Sequence, residues 1–100
     1  MTHAKLVKAQ LTGVFLTQAD LTGAFLNYAN LTGAYLVGAR LIGAELLGTI
    51  LSGANLETVN LTNASVIGTD ISQKQLDRAC GTRVLLDAGL TIMECPEYLR

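Results

Sequence analysis

One hundred residues, half of them apolar, make one small domain that can bury a core. The net charge of −1, from seven basic and eight acidic residues, argues against the basic patch of a general nucleic-acid binder and against a strongly acidic nucleic-acid mimic. No apolar run approaches the ~18 residues of a membrane-spanning helix, and Met1 to Lys5 carry no apolar export segment, so cytoplasm is the default expectation.

From Ala4 onward the chain obeys one register. Leucine recurs every fifth position from Leu6 to Leu61, and Val66 and Ile71 continue the series, which makes fourteen units over residues 4–73. Taking Ala19-Asp20-Leu21-Thr22-Gly23 as the type, each unit has an inner small residue, an outer residue, a central residue and two corner residues. The inner position is Ala in ten of the fourteen units, with Val14, Thr49, Val59 and Thr69 as compact exceptions. The second corner is Gly in eight units, and the first corner is often Thr or Ser.

The period of five decides the architecture. A helix repeats every 3.6 residues, so this spacing would smear leucine around all its sides. A strand alternates every two residues, which places the inner and central residues on one buried side. The remaining residues must then turn a corner, and glycine suits a corner that needs positive φ. Repeated short edges and right-angle corners wind a solenoid with four edges per coil. Residues n and n+20 then stack at ~4.8 Å through backbone hydrogen bonds between coils.

Units ADLTG (19–23), ANLTG (29–33), ANLET (54–58) and VNLTN (59–63) resemble the A(D/N)LXX repeat of pentapeptide-repeat proteins. The resemblance covers about seventy residues. It implies an all-β fold, a right-handed quadrilateral parallel β-helix of about 3.5 coils, with Leu at the centre and Ala at the tighter inner position.

The outer position in that family is usually Asp or Asn. Here Asp20, Asn30, Asn55, Asn60 and Asp70 comply, but Phe15, Phe25, Tyr35 and Ile50 occupy the same slot. Sorting by the twenty-residue coil puts Phe25, Tyr28, Leu47 and Ile67 on one face, joined by Val7. Phe15, Tyr35 and Val37 fall two edges away. The first group is a candidate protein-contact face and the second a further candidate. Exposed apolar residues are also common on surfaces without partners, so both readings stand.

Only Met1 to His3 precede the first unit. Edge charges at His3, Lys5 and Lys8, end-to-end dimerisation and membership of a longer chain are three open ways of protecting that end. After Ile71 the register is expected to dissolve into a cap over residues 74–100. Ser72 and Gln75 read as a capping box opening a short helix over Gln73–Ala79, with Leu76 inward and Gly81 as the stop. Gly89 and Pro96 punctuate an irregular remainder. Cys80 and Cys95 flank this cap. As a disulfide they would close a loop of about fifteen residues, pointing to the periplasm or another oxidising compartment. Reduced, they would be ordinary buried thiols.

No catalytic, cofactor-binding or metal-binding pattern appears, and the glycines recur because corners recur. The sequence therefore predicts a non-enzymatic solenoid that presents rigid side-chain faces to an unidentified protein or to a second copy of itself. It indicates no cofactor, nucleic acid, membrane or small-molecule substrate. Two alternatives remain. Some family members mimic duplex DNA and act on DNA gyrase, from which this chain departs in its near-neutral charge, short length and aromatic outer positions. The chain is otherwise a repeat segment of a larger protein with a stability role only.

Overall fold

The computed structural model describes residues 2–99, so any share of Met1 in covering the first coil, and of Arg100 in the cap, lies outside the described residues. The backbone turns every five residues from Thr2 to Gly68. Outer residues pair in parallel with those twenty positions on, as in Lys5↔Phe25, Phe25↔Glu45 and Glu45↔Ser65. Four five-residue edges therefore complete one coil.

The bonding repeats with the unit. The central N–H donates forward to the next coil (Leu26 N to Glu45 O, 2.8 Å), and the outer N–H donates back (Phe25 N to Ala4 O, 2.8 Å). The inner N–H closes the corner onto the preceding central carbonyl (Ala29 N to Leu26 O, 3.0 Å). The second corner donates forward again (Gly23 N to Ile42 O, 2.8 Å). That residue has positive φ, 69° at Gly23 and 61° at Tyr28, which explains the preference for glycine there.

Against the expectation of stacked strands, the pairing consists of isolated bridges, one per edge, among the described residues. The reason is length: between two corners only one residue has both its bonding groups directed at neighbouring coils, so no run of consecutive bridges forms. The core is a column of Leu and Ala layers. Leu21, Leu26, Leu31, Leu36 and Leu46 have no exposed surface, and the inner Ala24, Ala29, Ala34 and Ala39 are equally buried. Leu6, Leu11 and Leu16 in the first coil are only half-buried. Thr49 replaces an inner Ala, and its hydroxyl donates to Leu26 O at 2.7 Å, so the polar atom is satisfied inside the core.

The C-terminal region corrects the expected loss of register. Helix α1 spans Gln73–Leu76, one turn where two were expected, and carries the full capping box. Leu76 falls five residues after Ile71 and is fully buried, so α1 takes the place of one unit. Ala79 then re-enters in phase. Asn60↔Cys80 and Ser65↔Leu85 continue the twenty-residue pairing. Gly81 is no helix stop. It occupies a central slot, where a Cβ would lie 2.6 Å from Val84 Cγ2 and 2.9 Å from the Leu61 carbonyl carbon.

Where α1 interrupts the backbone pairing, side chains replace it. The Asp70 carboxylate accepts from Leu51 N at 2.5 Å, and the Gln75 amide donates to Leu51 O at 2.7 Å and Ala54 O at 3.1 Å. Gln73 pairs with both backbone groups of Thr91, at 2.8 and 3.0 Å. Half-buried Val84, Leu86, Leu90 and Ile92 then pack on the end of the core.

Leu36→Ala is expected to lower stability by about 2–5 kcal/mol through lost transfer energy and a cavity. Ala34→Leu is expected to cost about 1–3 kcal/mol, because the closed coil has no room for added methylenes. Urea unfolding monitored by circular dichroism checks both.

Candidate functional site

The outside of the coil is set by backbone phase. One face carries an outer column Lys5, Phe25, Glu45, Ser65 and Leu85, each bridged to the next. Its first-corner column is Val7, Asn27, Leu47, Ile67 and Asp87, and its second-corner column is Lys8, Tyr28, Gly48 and Gly68. The candidate residues Phe25, Tyr28, Leu47 and Ile67 thus stand on one face. Tyr28 and Leu47 are exposed, and Phe25 and Ile67 are half-buried. Val7 (49% exposed) and Leu85 (61%) extend the apolar surface along the stack. Sequence reasoning missed Leu85 because the register was taken to end at Ile71. Its signal is its place twenty residues after Ser65.

This face is held by its own polar groups. The Asn27 carbonyl oxygen accepts from Leu47 N at 2.9 Å, and its amide reaches Glu45 Oε1 at 3.4 Å. Gly68 N donates to both Asp87 carboxylate oxygens, at 3.2 and 3.1 Å. The Tyr28 ring lies so close over Gly48 that a Cβ there would meet it at 2.7 Å. A bulky second-corner residue is therefore accommodated by glycine one coil on.

Two edges away, the Phe15 and Tyr35 rings stack with centroids 4.7 Å apart and planes 9° from parallel. Phe15 is 78% exposed, Tyr35 46%, and Val37 is half-buried. The second candidate group is thus a compact aromatic pair, separated from the first face by the width of the solenoid.

The Asp and Asn at outer positions do local work. The first-corner N–H finds no backbone acceptor in any coil among the described residues. Asn30 Oδ1 takes it from Thr32 (3.0 Å) and also accepts the Thr32 hydroxyl (2.5 Å). Asp20 with Thr22 and Asn60 with Thr62 repeat the arrangement. These are Asx turns, and the Asp/Asn-x-Thr spacing is their sequence signal. The Thr22 hydroxyl bond, then the Thr22 N–H bond, hold the Asp20 carboxyl below its usual range, helped by Arg40.

Asp70 behaves similarly at the cap. Burial is the largest single influence on it and pushes its pKa up, but the hydrogen bonds it accepts, from the Ser52 hydroxyl and then the Leu51 N–H and further backbone N–H groups, together hold it low.

The structure joins Cys80 and Cys95 in a disulfide, with Cα atoms 4.7 Å apart and both residues buried. The fifteen-residue separation corresponds to about 3 kcal/mol in the chain-entropy account. The bond fastens the tail to the coil beside Gly81 N–Met93 O (2.9 Å). Further on, the Asn60 amide donates to Leu99 O at 2.9 Å, which leaves Asn60 only 5% exposed. Sequence reasoning set Asn60 at an outward position and did not foresee its burial, since its partner lies thirty-nine residues away. A cleft of about 560 Å³ opens between tail and coil, lined by Ile42, Thr62, Arg83 and Glu94 among others.

Among the described residues no group of three or more His, Cys, Asp or Glu could hold a metal ion. No helix of the described residues is long and apolar enough to cross a membrane.

The sequence profile of pentapeptide repeats matches eight copies, over residues 16–52 and 39–73. No curated protein matches the chain. Among solved structures it is similar to a pentapeptide repeat protein from the Arabidopsis thaliana thylakoid lumen, with a TM-score of 0.62 and 25% identity over 84% of this chain and 55% of that one. It is also similar to Rfr23 of the cyanobacterium Cyanothece 51142 (TM-score 0.44, 31% identity, 92% of this chain and 63% of that one). A third is HetL of Nostoc sp. strain PCC 7120, a protein involved in heterocyst differentiation regulation (TM-score 0.43, 28% identity, 85% of this chain and 56% of that one). The chain spans about 55–63% of the length of these structures.

The low pKa of Asp70 sets a pH dependence. A carboxylate held low in the folded state contributes stability that is fully present above the unfolded pKa of ~3.9 and is lost as pH falls through the folded value. The urea midpoint of the wild type is expected to fall more steeply below pH ~4 than that of Asp70→Asn. Parallel urea titrations across that range measure it.

Proposed function

The chain belongs to the pentapeptide-repeat family, and on that premise we propose that it is a non-catalytic scaffold which holds a protein partner, or a second copy, on one side of its coil. The coil is taken to wind right-handed and four-cornered, as in the family. The observation that carries the reading is the apolar surface of Phe25, Tyr28, Leu47 and Ile67, extended by Val7 and Leu85 and mounted on a stack whose core leucines have no exposed surface. Apolar side chains gathered on one rigid face, here with Asn27, Glu45 and Ser65 among them, are a usual mark of a contact site. The stacked Phe15–Tyr35 pair on the opposite side is the second candidate surface. It is the smaller of the two, two stacked rings and the half-buried Val37.

We further infer that the chain works in an oxidising compartment. The Cys80–Cys95 bond supports this, since such bonds persist where thiols are not kept reduced. One similar structure comes from a thylakoid lumen.

Phe25→Ser combined with Leu47→Ser is expected to leave the circular dichroism spectrum intact and to remove the proteins crosslinked to the wild type in extracts, or to lower its mass by light scattering. An unchanged mass together with an unchanged set of crosslinked proteins would contradict the assignment of this face.

A further inference from the structure

Resting on that assignment, we propose that the occupant of the face is a second copy of this chain, laid antiparallel about a two-fold axis at right angles to the coil stack. The order of charge along the face favours this arrangement. Its two basic residues, Lys5 and Lys8, both stand in the first coil and are exposed. Its two acidic residues, Glu45 and Asp87, stand in the third and fifth. Between the ends lie Phe25, Tyr28, Leu47 and Ile67, with Glu45 among them.

Two copies can meet on one such face with their stacks parallel or antiparallel. Parallel, Lys5 and Lys8 would face the same lysines of the other copy, and juxtaposed like charges are unfavourable. Antiparallel, with the two-fold at the third coil, the first coil faces the fifth. Lys8 then comes beside Asp87 of the other copy, whose carboxylate is already fixed by Gly68 N. The second coil faces the fourth, so Phe25 and Tyr28 meet the surface around Ile67.

The corner column supports the same register. Tyr28 lies over Gly48 with 57% of its surface still exposed, whereas Gly68 in the next coil carries no side chain. Tyr28 of one copy then fits against the Gly68 corner of the other. Leu47 lies near the axis against its own counterpart. Glu45 also approaches its counterpart there, but the third coils face each other in either arrangement, so this pair does not choose between them; its carboxylate accepts from Asn27 of the coil before. Such an isologous contact is closed at two copies and uses each residue of the face twice.

The test is sedimentation of the full oxidised chain from micromolar to millimolar concentration, at low and high salt. The expected mass is twice 10.6 kDa, with dissociation favoured by salt. Leu47→Asp removes the apolar contact at the axis, adds two further carboxylates beside the Glu45 pair, and is expected to give a folded monomer. Lys5→Glu with Lys8→Glu is expected to raise the dissociation constant about tenfold or more. A wild type that stays monomeric throughout overturns the proposal, as does a dimer indifferent to Leu47→Asp. A dimer lost with Leu47→Asp but unmoved by the lysine reversals overturns the antiparallel arrangement. A monomeric wild type that still loses crosslinked proteins on Leu47→Asp overturns the dimer and leaves the contact face standing.

Discussion

The backbone hydrogen bond from one coil to the next is the constraint on which the rest of this structure depends. Each unit offers five N–H groups. The outer, central and second-corner groups go to neighbouring coils, and the inner group closes the corner. That allocation requires residue n to lie over residue n+20, so identical positions must stack in columns. Leucine fills the centre because every column must present the same shape to the layer above. Glycine or a tolerated exception fills the second corner because positive φ recurs there. The fifth N–H is left over, and an outer Asp or Asn accepts it in four of the corners, those of Asp20, Asn30, Asn55 and Asn60. The family's repeat is thus a list of what the hydrogen-bond account demands at each position.

What could be read from the sequence followed this periodicity. The five-residue leucine spacing and Gly13, Gly23 or Gly33 pointed to short edges and corners, the four-sided cross-section implied by the family resemblance agreed with coils of twenty, and the grouping of Phe25 with Leu47 and Ile67 came from the same arithmetic. What escaped was aperiodic. Helix α1 keeps Leu76 in phase while abandoning the Ala and Gly positions, so the unit became invisible although its central residue was in place. The resumed register at Cys80 and Leu85 was hidden with it. The burial of Asn60 depends on where the tail runs, a contact across thirty-nine residues that no local pattern encodes.

The same division organises function. Inside the coil almost nothing can vary, because an added methylene or a lost one has no place to be absorbed. Outside, side chains are free of the packing constraint, and this chain uses that freedom to put aromatic and aliphatic residues where the family would put Asp or Asn. Such positions give up the acceptor for the leftover N–H. At Leu47 the N–H is met instead by Asn27 one coil below. The C-terminal segment contributes in a different way. It ends the column with side-chain amides and a carboxylate in place of backbone, and the Cys80–Cys95 bond keeps it there.

The central claim is that residues twenty apart are stacked. With five aromatic residues in the chain, proton NMR tests it directly through nuclear Overhauser contacts between rings. The account predicts contacts between Phe15 and Tyr35, whose rings stack at 4.7 Å, and none between Phe15 and Phe25, which lie on opposite sides of the coil. Contacts between Phe15 and Phe25, or their absence between Phe15 and Tyr35, would contradict the twenty-residue coil.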